Sequence, residues 1–194
     1  MKNNDLLVKL YSLPQTVFSL KEIGLMFVGV DYKNLKRRVN YLVKIGRLLN
    51  PTRGIYIKKD FDKYELATKI YTPSYLSLET VLAEAGVVFQ TYDTIQVISY
   101  VDRDVSLETG IKIKYKRIAE KILFEKMGVF EKDNYFIASL ERAFLDAIYL
   151  YRDYHFDNLS PVNWERVYEI APVYKSKILL KRLDSYYKLS KDNV

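Results

Sequence analysis

The stretch Asp31-Tyr-Lys-Asn-Leu-Lys-Arg-Arg-Val-Asn-Tyr-Leu-Val-Lys-Ile-Gly46 runs directly into Arg47-Leu-Leu-Asn-Pro-Thr-Arg-Gly-Ile-Tyr-Ile57. In the first segment Leu35, Val39, Leu42 and Val43 recur at helical spacing. Lys33, Lys36, Arg37, Asn40 and Lys44 fall together on another face of the same helix. Asp31 is placed to cap that helix, and Gly46 to end it. The second segment reads as a tight hairpin. Leu48 and Leu49 open a strand, Asn50 to Gly54 turn it with Arg53 at the tip, and Ile55-Tyr-Ile57 returns. Lys58 and Lys59 extend the basic edge.

Working upstream, Leu6, Leu7, Leu10 and Leu13 give a first helix ending near Pro14. Thr16-Val-Phe18 reads as a short extended piece. Ser19 can cap a second helix with Ile23, Met26 and Phe27 inward, and a turn at Gly29-Val-Asp31 follows. Helix, short helix, cation-loaded helix and hairpin are the order of parts in a winged helix-turn-helix. The expected fold class is therefore α+β: an N-terminal winged helix-turn-helix over 1–60, then a mixed α/β domain over 61–194 that ends in helices.

Charge follows the same division. The chain of 194 residues carries a formal +7. Residues 1–60 hold twelve Lys or Arg against four Asp or Glu, so the remainder is near neutral. This asymmetry suggests a polyanion-binding module joined to a module with another task. The expected partner is duplex DNA. Tyr32, Lys33, Asn34 and Arg37 lie toward the helix end that reaches base edges, with Lys36 and Asn40 on the same surface. Arg suits guanine and Asn suits adenine. Arg38 and Lys44 are expected at phosphates or in solvent, and Arg53 at a phosphate or in the minor groove. The plainer reading is a solvated amphipathic helix with a protective cationic hairpin.

There is no Cys, which excludes disulfides, Cys-based zinc sites and thiol nucleophiles. No apolar run approaches the ~20 residues of a membrane span, and Met1-Lys-Asn-Asn-Asp-Leu-Leu-Val8 has no export pattern. A cytoplasmic location, with no membrane partner, is expected.

Beyond Asp60, two segments begin alike. Ser77-Leu-Glu79 is read as opening a helix with Leu78, Val81, Leu82 and Ala85 on one face, stopped by Gly86. Ser139-Leu-Glu141 is read as opening another, with Leu140, Ala143, Phe144, Ala147, Ile148 and Tyr151 aligned. Strands are expected at Val87-Val-Phe89, Ile95-Gln-Val-Ile98, Ile111-Lys-Ile-Lys-Tyr115 and Tyr135-Phe-Ile137. The third reads as an edge strand with a cationic solvent face. Its Lys112 and Lys114, with Lys116 and Arg117 next, form a candidate partner-binding patch. Past Pro161, helices are expected around Trp164, Val167, Tyr168 and Ile170, then around Ile178, Leu179, Leu183 and Tyr186. The 18 Tyr should mostly rim these cores, and exposed ones would suit a protein interface.

Three motifs follow in order: Gly54-Ile-Tyr56, Tyr71-Thr-Pro-Ser-Tyr-Leu-Ser-Leu-Glu-Thr-Val-Leu-Ala-Glu-Ala-Gly86 and Ile137-Ala-Ser-Leu-Glu-Arg-Ala-Phe-Leu-Asp146. Together they resemble the AbiEi family of antitoxins and transcriptional regulators in type IV toxin–antitoxin (abortive infection) systems. The resemblance covers about the first three quarters of the chain. It implies a winged helix that binds inverted repeats in its own promoter, with cooperative or dimeric binding on DNA. It also implies a C-terminal domain that counters a nucleotidyltransferase toxin encoded beside it, without a stable complex. By position, Tyr32 to Lys44 and Arg53 would be the DNA elements. The alternative is a stand-alone winged-helix regulator whose C-terminal domain senses a ligand or oligomerises.

Catalytic signals are poor, and neither an enzyme activity nor a cofactor is expected. The phosphate cradle of a Walker loop and the protein-kinase motifs are absent from the sequence. Asp102-Arg-Asp104 is similar to paired metal carboxylates but lacks a preceding Gly-Ser segment, and reads as a solvated turn. The one His, His155, lies in Asp153-Tyr-His-Phe-Asp157; in an extended strand its polar residues could meet a metal, but a surface loop is the expectation.

Overall fold

A computed structural model describes residues 3–27, 29–90 and 93–192. Its first elements are α1 (Asn3–Ser12), β1 (Val17–Ser19), α2 (Leu20–Met26), α3 (Tyr32–Lys44), β2 (Leu49–Thr52) and β3 (Ile55–Ile57). β3 is the centre of a three-stranded antiparallel sheet, flanked by β1 and β2. The extended piece at Thr16 is thus a full sheet strand one residue later, with Phe18 opposite Tyr56. α2 opens on a capping box: the Ser19 hydroxyl accepts from the Glu22 N–H, and the Glu22 carboxylate accepts from the Ser19 N–H. The Met26 and Phe27 side chains are only half-buried.

The larger part follows as α4 (Lys63–Ile70), β4 (Ser74–Leu76), α5 (Glu79–Glu84), β5 (Thr94–Ser99), β6 (Arg103–Ser106), β7 (Lys112–Arg117), α6 (Glu120–Leu123), β8 (Val129–Lys132), β9 (Tyr135–Ala138), α7 (Leu140–Leu150), α8 (Trp164–Ile170) and α9 (Lys177–Asp192). The fold is therefore mixed α+β, with two sheets among the described residues. The second sheet has six strands in the order β6-β7-β5-β4-β9-β8, with β5/β7 and β4/β9 parallel and the other pairs antiparallel.

Helices cover both faces of that sheet. On one face Tyr115 donates its hydroxyl hydrogen to the Ala67 carbonyl of α4 (2.6 Å), and Tyr135 packs on Tyr64. On the other, Tyr75 reaches Asp146 of α7. Around α7 gather α5, α8 and α9.

Several local expectations are corrected. Ile111 to Tyr115 does not form an edge strand: Lys112, Lys114 and Lys116 belong to β7, which is paired on both sides, and Arg117 ends it. The edge is β6, a polar strand that includes Arg103 and Asp104, so Asp102-Arg-Asp104 is not simply a turn. Val87 to Phe89 form no strand, because the Val87 carbonyl accepts the N–H groups of Asp157 and Asn158 instead. Ser77 does not cap α5. Leu78 holds the cap position with φ +53°, and the Ser77 hydroxyl turns inward to Asp146 (2.8 Å). Leu48 is buried but precedes β2, whose strand runs on through Pro51 to Thr52.

Candidate nucleic-acid interface

α3 is fixed at both ends. The Asp31 carboxylate accepts from the Asn34 N–H (2.9 Å). At the other end the Arg47 N–H reaches the Leu42 carbonyl and the Gly46 N–H reaches Val43, with Gly46 at φ +69°. That paired closure of the last turn requires a left-handed residue, which glycine supplies without strain. Leu35, Val39 and Leu42 are buried against Leu6, Leu10, Phe18, Ile23, Leu48 and Tyr56. The inner face therefore holds the helix, and the outer face is left for solvent or a ligand.

On that outer face Tyr32, Lys33, Asn34, Lys36, Arg37, Asn40 and Lys44 are exposed, and Arg38 is half-buried. Among the described residues none of Lys33, Lys36, Arg37, Arg38, Lys44 and Arg53 has a carboxylate within ion-pair distance. Like charges without counter-charges on one helix raise a positive potential that a polyanion would neutralise. The Asn40 side-chain oxygen accepts the Tyr56 hydroxyl hydrogen (3.0 Å). This orients the amide and, among the described residues, leaves its NH2 group unspent. Burial, then the nearby Tyr32, raises the Tyr56 phenol above its ordinary value, so it remains a donor.

Arg53 stands exposed at the hairpin turn beside Gly54, whose φ is +80°. The Asn50 amide braces the turn by donating to the Thr52 and Ile55 carbonyls. Lys59 is exposed, but Lys58 is not part of the basic edge. It is 6 % exposed, donates to the Leu13 carbonyl (2.6 Å) and lies over the Tyr11 and Phe18 rings.

The second group of candidates is less uniform. Lys112, Lys114 and Lys116 alternate onto one face of β7. Lys112 is exposed, Lys114 stands opposite Asp104, and Lys116 is half-buried and paired with Asp102 (3.5 Å). Arg117 projects on the other register and lines a separate cavity. The four do not make one patch. His155 is exposed beside Asp157 (3.6 Å), whose other oxygen accepts the Phe89 N–H. Among the described residues no three His, Cys, Asp or Glu side chains are grouped to hold a metal.

A buried polar cluster went unread in the sequence. Arg142 and Asp146, one turn apart on α7, are both fully buried. Asp146 accepts hydroxyl hydrogens from Tyr75, Ser77 and Tyr174. The Arg142 guanidinium donates to the Tyr75 hydroxyl and to the Met127 and Ile122 carbonyls. Burial and the Asp146 charge push the Tyr75 and Tyr174 phenols well up, so both stay protonated donors. Burial also raises the Asp146 carboxyl, against the pull of Arg142 and the three hydroxyls. The available signal was a charge pair four residues apart, Arg142 and Asp146, within the apolar stripe of α7.

No protein-family model matches this chain, and neither does any curated protein.

Proposed function

We propose that this chain is a DNA-binding transcriptional repressor whose residues 1–60 act as a winged helix-turn-helix. α3 would enter the major groove and the β2–β3 hairpin would serve as the wing. The observation that carries this reading is the exposed cationic face of α3, unpaired among the described residues, with Arg53 presented at the hairpin tip. Tyr32, Lys33, Asn34, Lys36, Arg37 and Asn40 would meet base edges, and Arg38, Lys44 and Arg53 the backbone.

The same proposal takes the protein as the antitoxin of a type IV system in the cytoplasm. It would bind inverted repeats in its own promoter and counter a nucleotidyltransferase toxin without a stable complex. Support for this part is the three AbiEi-like motifs. Tyr75, Ser77, Arg142 and Asp146 from the second and third motifs meet in the buried cluster of α7. Those motif residues thus have a folding reason to occur together.

Duplexes from the region upstream of the gene should bind more tightly than scrambled ones in fluorescence anisotropy. Affinity should fall with salt by a slope of about −0.9 for each phosphate neutralised. Equal binding to all sequences would sink the repressor reading. Co-expression with the adjacent open reading frame tests the other part, and failure to rescue growth from a nucleotidyltransferase encoded there would remove it. An open cavity of about 700 Å³ at the ends of β5 and β7 favours a second reading, a regulator whose C-terminal part senses a ligand.

A further inference from the structure

The cavity of about 700 Å³ lies where the parallel strands β5 and β7 end, at Tyr100 and Arg117. Crevices beyond the carboxyl ends of parallel strands are where open sheets take ligands, and this volume suits a small molecule. Its floor includes the buried Ile118 and Leu123. Its walls include Tyr100, Phe124 and Tyr149. Tyr100 is 48 % exposed and Phe124 61 %, so apolar ring area stands open to water around a concave site. Such rings recover free energy when a planar apolar group covers them.

Two opposite charges line the same space. Arg117 is the last residue of β7 and Glu120 the first of α6, and both are exposed. Among the described residues neither forms an ion pair with the other or with any third side chain. An anionic ligand alone would leave Glu120 facing it, and a cationic ligand alone would leave Arg117 facing it. A ligand with both charges satisfies both, and Arg117 can take a carboxylate with two parallel N–H bonds.

We propose that this cavity is a binding site for a small aromatic zwitterion, of the class of the aromatic α-amino acids. The ring would lie against Tyr100 and Phe124, the carboxylate at Arg117 and the ammonium at Glu120. One wall, Thr72-Pro73, directly continues from α4: the Thr72 hydroxyl donates to the Thr68 carbonyl and the Ser74 hydroxyl does the same. A bound ligand therefore touches the segment that leaves α4.

Isothermal titration of the full chain with L-phenylalanine, L-tyrosine and L-tryptophan tests the site. Phenylacetate and phenethylamine, which each keep one of the two charges, and adenosine monophosphate serve as contrasting probes. At least one amino acid should bind saturably, with phenylacetate and phenethylamine each weaker by about tenfold or more. Arg117→Gln and Glu120→Gln should each weaken binding by about tenfold while leaving the thermal midpoint unchanged, since both side chains are exposed. Absence of saturable binding by all three amino acids up to about 10 mM would overturn the proposal. So would binding that neither substitution weakens, or phenylacetate or the nucleotide binding as tightly as the amino acids. The titration involves no DNA, so its failure leaves the repressor reading intact.

Discussion

Arg37 projects from the outer face of α3 with its guanidinium unpaired among the described residues. If it reads a guanine edge, Arg37→Ala should cost about 1–3 kcal/mol in operator affinity, lost chiefly against the cognate sequence. Lys44→Ala should instead weaken all sequences alike and flatten the salt slope by about one. A competition gel-shift at two salt concentrations separates the two outcomes, and unchanged binding by Arg37→Ala would remove its assignment. Glu22 carries a different kind of prediction. Burial pushes its carboxyl up, but the Lys69 hydrogen bond (2.7 Å) and the Ser19 N–H outweigh this and hold it below the ordinary glutamate value. A depressed folded value means that the stabilisation is present above the unfolded glutamate pKa of about 4.3. It is lost as pH falls through the folded value. Urea unfolding should show Glu22→Gln less stable near neutrality by under about 1 kcal/mol, because the side chain is partly solvated. That gap should close in acid, and a gap constant with pH would refute the linkage. Lys58 shows what single-residue reading misses. Its position beside Lys59 suggests a basic edge, yet its stem and ammonium fit between Tyr11, Phe18 and the Leu13 carbonyl. Only the packed α1–β3 corner offers that alternative to water.

Elements with several agreeing local signals were legible, and those with one or none were not. α3 has a cap, a helical stripe and a closing glycine, and α7 has the Ser139 cap and a long apolar stripe. α4 was unread because its eight residues bury Glu65 and Thr68 where an apolar pattern would be sought. β4 is three residues long and β6 is almost wholly polar, so neither carries a period-two signature. Without β6 the cationic β7 looks like an edge. On α7 the apolar stripe concealed Arg142 and Asp146, whose burial makes sense only once Tyr75, Ser77 and Tyr174 arrive from elsewhere. Removing one partner of such a pair leaves a buried charge uncompensated. Asp146→Ala should therefore destabilise by about 3–5 kcal/mol in denaturant unfolding. Gly128 supports the same helix from outside. A Cβ there would stand 2.9 Å from Arg142 Cβ and from Ile170 Cδ1, at a φ of +75°. Gly128→Ala is expected to lower the unfolding midpoint by clash and backbone strain together, and an unchanged midpoint would show that the α7–α8 packing can yield.

At the scale of the whole molecule, β1 and β3 of the small sheet bury side chains on both of its faces. Phe18 and Tyr56 pack with α1, α2 and α3, while Val17, Ile55 and Ile57 belong to the core of the larger part. α4 lies between the small sheet and β4, β5 and β9. It also makes polar ties: Glu65 accepts the Thr16 N–H (2.8 Å) and hydroxyl hydrogen (2.6 Å), and Lys69 pairs with Glu22. Each of Val17, Ile55 and Ile57 is worth roughly 1.5–3 kcal/mol in burial, so separating the parts is costly before any polar tie is counted. The cationic face of α3 is accordingly carried on a body fixed to the six-stranded sheet, not on a tethered head. Such a molecule should unfold as one cooperative unit. Calorimetry of the full chain is expected to give a single transition with calorimetric and van't Hoff enthalpies equal. Glu65→Ala removes the shared acceptor of Thr16 and weakens the attachment where the two cores meet. If attachment alone keeps the transition single, this variant should broaden or split it, with the smaller core melting first. Two transitions in the unaltered chain would mean that the interface around α4 contributes less than its buried area implies, and that the two parts melt independently.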